Sequence, residues 1–182
     1  MEITEKKKGT FSLSILAILL LYVCSGVGTF ENPAVQALID AWPNVAVTSV
    51  RSFVTISSLV CIPVMLLVSP FVGNKISYKL AMSVGTVCCA VGGVTPFFFA
   101  PSWGFVLACR VLIGIGVGLI GPRNALLTSS LPQQHHAAFL GYGNTMQFVF
   151  NIIAGPLCGW LVGFGWNFSV LINFSAVLIA VA

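Results

Sequence analysis

The stretch Arg110-Val111-Leu112-Ile113-Gly114-Ile115-Gly116-Val117-Gly118-Leu119-Ile120-Gly121-Pro122-Arg123-Asn124 decides how this chain is read. A guanidinium opens ten apolar residues, and glycine recurs at every second position in their middle. In an ordinary soluble helix each interior glycine costs about 1 kcal/mol relative to alanine. A charge beside a long apolar run also needs a partner or water. Both features fit a helix that is packed closely by other helices inside a bilayer, where small residues mark the helix–helix seam.

Composition supports that setting. The 182 residues are 58% hydrophobic and only 7% charged, against about 25% charged in soluble domains. The mean hydropathy is +1.03. Such a chain cannot cover a folded surface with polar groups, so the lipid bilayer is its main partner. The net charge of +4 comes from eight scattered Lys and Arg with one cluster at Lys6, Lys7 and Lys8. That is too few for a nucleic-acid face, and no nucleic acid is expected. Six cysteines all lie in apolar stretches without metal-ligand spacing, which reads as small core hydrophobes and implies no metal or cofactor.

A span needs about 20 apolar residues. Working outward from 110 by that ruler gives six spans, at 11–29, 50–72, 80–100, 103–120, 140–162 and 166–182. The expected fold class is an all-α integral membrane protein with six transmembrane helices. Residues 1–10 form an N-terminal tail, and 11–182 form the transmembrane unit. Lys6 to Lys8 ahead of an apolar run also resemble a signal peptide, but the spans that follow make it an uncleaved first helix. Lys75, Lys79 and Arg123 fall on the same side as the tail, and only Arg51 falls near the other. The positive-inside rule then places both termini in the cytoplasm. The run 170–182 is apolar apart from Asn173 and Ser175 and has no charged flank. The expectation is a chain truncated at its C-terminus, or one half of something longer.

On a helical wheel Trp103, Gly114, Gly118, Gly121 and Asn124 fall within roughly 80° of Arg110. Arg110 therefore heads a small-residue seam, while Gly116 points elsewhere. It lies seven residues into its span, about 10 Å from the start at 1.5 Å per residue. Two readings follow: a functional charge facing a bundle interior, or an anchor that snorkels to the interface. The fifth span repeats the pattern without charge, with Asn144, Gln147, Asn151, Gly155 and Cys158 on one face. Those amides either bond across to neighbouring helices or line a wet cavity. Tyr22, Ser25, Gly26 and Thr29 make a weaker stripe in the first span. No Asp or Glu lies inside any span. Glu31 ends near one but points away from the polar stripe. His135 and His136 lie in a loop with no third ligand, and Asn167-Phe168-Ser169 begins a span, which argues against glycosylation. A nucleophile with a base, a metal set or a charged filter is absent from the spans, so neither an enzyme nor a channel is indicated.

Three blocks together resemble the N-terminal six-helix half of the major facilitator superfamily. Arg110-x-x-x-Gly114-x-Gly116-x-Gly118 is similar to that family's fourth-helix signature, whose arginine is associated with proton coupling and substrate-site electrostatics. The segment from Pro70 to Lys79 stands where the family has its loop between helices two and three. There Lys75 and Lys79 match basic positions, while Asn74 replaces an aspartate and Ser77 and Pro70 replace glycines. Gly155-Pro156-Leu157-Cys158-Gly159 resembles the fifth-helix motif associated with antiporters, with Trp160 in place of its last glycine. The resemblance implies a transporter of two six-helix halves with alternating access. With the helical-wheel stripes, it puts Arg110, Asn144, Gln147, Asn151, Tyr22 and Thr29 as the expected substrate or coupling cavity. Gly114, Gly116, Gly118, Gly121, Gly155, Pro156 and Gly159 would serve packing and movement. The partners implied are a small-molecule solute and a C-terminal half or second six-helix unit, at the plasma membrane. A non-transporting scaffold that uses the same seams only for packing is the alternative.

Overall fold

The computed structural model describes residues 15–26 and 34–173, all helices and connecting turns apart from one isolated β-bridge. Helix α1 is Ile15–Cys24, α2 is Val35–Ala41, α3 is Val47–Val68, α4 is Tyr78–Phe98 and α5 is Trp103–Ile120. Then come α6 at Arg123–Ser130, α7 at His136–Val162 and α8 at Trp166–Ser169, followed by a 3-10 turn at Val170–Asn173. Four spans are long and apolar enough to cross a membrane: Val47–Val68, Tyr78–Phe98, Trp103–Ser130 and Gln133–Val162. The chain is thus all-helical and multi-pass. The count of six is not met among the described residues. The first span is represented by the shorter apolar helix Ile15–Cys24. Residues 174–182 of the sixth lie outside the described residues, as does Thr29.

One boundary differs in a way that matters. The reading of a fourth span ending at 120 rests on Gly121-Pro122 and the polar pair behind it. In the structure α5 and α6 together make one span of 28 residues, Trp103–Ser130. Pro122 is tolerated because it opens α6, where its missing N–H leaves no interior hydrogen bond unmade. The path stops at Leu131, which is extended (φ −121°, ψ 150°), as expected of a residue before proline. At the other end Ser102 caps α5 by accepting a hydrogen bond from the Phe105 N–H.

Helix α5 is the hub, and it packs against α3 on one side and α4 on the other. Its glycines divide between the two. A methyl group at Gly114 would meet the Ser57 carbonyl oxygen of α3 at 2.6 Å, and one at Gly118 would meet Val64 at 2.7 Å. Gly121 backs onto Met65 in the same seam. Gly116 faces α4, where a methyl would come within 2.6 Å of the Gly85 carbonyl oxygen and 2.7 Å of the Cys89 sulfur. Helices α3 and α5 run parallel, and α4 runs against them. Helices α1, α4, α5 and α7 meet in a core that includes Cys24, Met82, Cys89, Ile113, Ala154 and Cys158. Leu59, Leu66 and Leu67 on α3 and Ile152 on α7 stay exposed, as surface turned toward lipid or further protein does.

The two ends of the bundle differ. One carries Trp42, Trp103 and Trp166, with the Trp42 ring centroid 6.0 Å from Trp103 and 6.4 Å from Trp166. The other carries the turn between α3 and α4. That turn is closed by the Gly73 N–H donating to the Ile76 carbonyl at 2.8 Å, with Gly73 at φ +91°. A side chain there would be strained. Asn74, Lys75, Ser77 and Lys79 ride on or beside this turn, and the Lys75 ammonium lies 5.8 Å from the Phe71 ring centre.

Candidate functional site

Arg110 is 3% exposed. The snorkelling alternative needs a head that reaches the surface, and this one does not. Its guanidinium stacks over the Phe53 ring of α3, 3.8 Å from the ring centre. Phe53 is 2% exposed and touches Trp103 at 6.0 Å between ring centres. One turn further along α3, the Ser57 hydroxyl donates to the Arg110 backbone carbonyl at 3.1 Å. The sequence produces this by spacing alone. Phe53, Ser57 and Cys61 repeat every four residues on α3, and Arg110, Gly114 and Gly118 do so on α5, so the two parallel helices meet rung by rung. An arginine at a span centre costs about 2.5–3.5 kcal/mol on insertion scales. A desolvated cation–π contact returns about 2 kcal/mol of that without neutralising the charge. Cys158 of α7 lies within electrostatic reach of Arg110.

The amides of α7 occupy the neighbouring face. Ala154 and Cys158 are buried in the core. Two turns before Cys158, Asn151 is half-buried, and its side-chain carbonyl oxygen is enclosed with no hydrogen-bond partner among the described residues. Gln147 is half-buried as well, and Asn144 is exposed. An enclosed amide oxygen left open calls for a partner, whether water, a ligand or protein beyond the described residues. Gly155 meets nothing within 4 Å of a methyl built on it, and Pro156 and Gly159 are exposed. Among the described residues this stretch therefore forms no seam.

Tyr22 is placed differently from a cavity stripe. It is fully buried, and its hydroxyl donates to the Asn124 side-chain oxygen at 2.6 Å. Gly143 of α7 lies against its ring, where a methyl would come within 2.7 Å. The Arg123 guanidinium stacks on the same ring at 4.6 Å. Tyr22 thus ties α1 to α6 and α7. Sequence reasoning places Arg123 in a cytoplasmic flank, but its helix continues α5 and its head turns into the bundle. Phe53 and Ser57 are also missed, because an apolar span offers no local mark for a residue that seats a charge on another helix.

A family model described as Major Facilitator Superfamily matches residues 18–182. Comparison with curated proteins and with solved structures gives no match. The chain belongs to the major facilitator superfamily, a family of transporters.

Proposed function

We propose that this major facilitator chain forms the N-terminal half of a secondary active transporter, moving a small solute across the plasma membrane by alternating access. The observation that carries the reading is the seat of Arg110, a buried cation held by an aromatic ring inside a membrane-spanning helix. A scaffold needs the glycine seams but gains nothing from a desolvated charge. In this reading Arg110 supplies positive potential to a cavity whose other wall is the amide face of α7. Gln147 and Asn151 offer neutral hydrogen bonds there, and Asn144 lies toward its mouth. The seams at Gly114, Gly116 and Gly118 let helices slide against one another. Sites in such folds lie between repeats, so a second six-helix unit completes the cavity. Gly155-Pro156-x-x-Gly159 favours an antiporter or efflux type. The distribution of basic residues favours cytoplasmic termini.

The test is uptake and efflux of a labelled solute panel by cells expressing the full-length protein, with Arg110→Ala and Arg110→Lys compared at equal membrane abundance. Arg110→Ala is expected to abolish transport, and Arg110→Lys to recover only part of it, because lysine lacks the planar face that stacks on Phe53. Transport unchanged by Arg110→Ala would remove the assigned role. A protein that moves nothing in a broad panel would favour the scaffold.

A further inference from the structure

Arg123 forms a second, half-buried cationic station, apart from the one that Arg110 supplies. Its guanidinium lies over the Tyr22 ring of α1 at 4.6 Å. Cys24 of α1 and Cys61 of α3 are within its electrostatic reach. Arg123 itself lies within the 28-residue apolar span Trp103–Ser130. The Arg123 Nε–H is enclosed and has no hydrogen-bond partner among the described residues. A buried charged donor left open is costly, and a guanidinium at membrane depth rarely stays so.

Geometry limits what completes it. The Tyr22 ring covers one face of the guanidinium, and the N–H donors, Nε–H among them, point outward in its plane. An in-plane fork of donors matches the two oxygens of a carboxylate or phosphate. Tyr22 is itself fixed from two sides, by its hydrogen bond to Asn124 and by Gly143 against its ring. The platform is therefore rigid before any ligand arrives. No Asp or Glu lies in the expected spans. We propose that Arg123, stacked on Tyr22, binds an oxyanion, the carboxylate or phosphate group of a solute or of a lipid headgroup, where α6 meets α1. This deepens the transporter reading by naming an acidic ligand, yet it stands on residues that Arg110 does not touch.

The experiment uses the full-length protein in nanodiscs of phosphatidylcholine alone or with phosphatidylglycerol. The soluble probes are inorganic phosphate, succinate and benzoate, with succinamide and benzamide as neutral controls. Two readouts are taken: thermal unfolding, and alkylation of Cys61 quantified by mass spectrometry. The expected result is that at least one oxyanion raises the unfolding temperature and slows Cys61 alkylation, while the amides do neither. Arg123→Gln should weaken that apparent affinity by about tenfold or more. Arg123→Lys should keep part of it, and Tyr22→Phe, which preserves the platform ring, nearly all. Protection by soluble anions in phosphatidylcholine discs identifies a solute. Protection seen only with phosphatidylglycerol identifies a lipid headgroup. Folded Arg123→Gln protein that keeps full anion protection overturns the proposal, as does wild-type protein that responds to no oxyanion in either disc. Protection lost only with Arg110→Ala would leave the transporter reading standing and overturn this one.

Discussion

Arg110 owes its place to two residues of α3, and they contribute unequally. Phe53 offers the face on which the guanidinium rests at 3.8 Å, whereas Ser57 bonds only the backbone carbonyl. Replacing the ring should therefore cost more than removing the hydroxyl. Phe53→Leu is expected to lose about 1–2 kcal/mol of stability through the cation–π contact and to lower transport. Phe53→Trp should retain both. Ser57→Ala should cost only about 0.6 kcal/mol, the average for an interhelical hydrogen bond in a membrane. Denaturation in detergent and transport at equal abundance check the ranking, and a Ser57→Ala loss larger than that of Phe53→Leu would reverse it. At this scale the sequence is legible for the charge and not for its seat. Arg110 announces itself as a polar residue in an apolar run, but Phe53 is one of 14 phenylalanines, and only packing shows which one carries an arginine. Arg123 escapes a sequence reading because Gly121-Pro122 reads as a stop in soluble helices, a rule that neighbouring helices relax in a bilayer.

Elements are held together by close approach rather than by a hydrophobic drive, since lipid is as apolar as any side chain. The two glycine faces of α5 follow from 100° per residue, and the helical wheel alone separates Gly116 from Gly114, Gly118 and Gly121. What the wheel cannot say is which helix each face meets. The structure assigns α3 to one and α4 to the other. Gly116→Val should be severe, because its Cβ would overlap the Gly85 carbonyl oxygen at 2.6 Å. Overpacking of this kind costs about 1–3 kcal/mol. Gly155→Ala meets no neighbour among the described residues and should change stability by less than about 0.5 kcal/mol. If the Gly155 face instead packs against a second six-helix unit, Gly155→Val will leave folding of this unit intact and reduce transport. Thermal unfolding of both variants beside a transport assay separates these effects.

At the scale of the whole molecule, the proposed transport role predicts a wet interior. Composition alone points away from a soluble fold, and the apolar runs mark the stretches in which the four long apolar helices lie. The polar face of α7 is legible as a run of amides at helical spacing. The enclosed, open oxygen of Asn151 is not, because it depends on how α7 is turned against the core by Ala154 and Cys158. The most direct measurement requires no knowledge of the solute. Asn151→Cys, in the full-length protein in sealed vesicles of both orientations, is treated with a membrane-impermeant thiol reagent, and modification at that position is quantified by mass spectrometry. Ile152→Cys on the adjacent exposed apolar face serves as the control. The predicted result is modification at 151 from an aqueous side, slowed by Arg110→Ala through loss of the attraction for anionic reagents, with residue 152 far less reactive. No modification at 151 from either side, in protein that remains folded, would contradict a water-filled cavity and with it the transporter account.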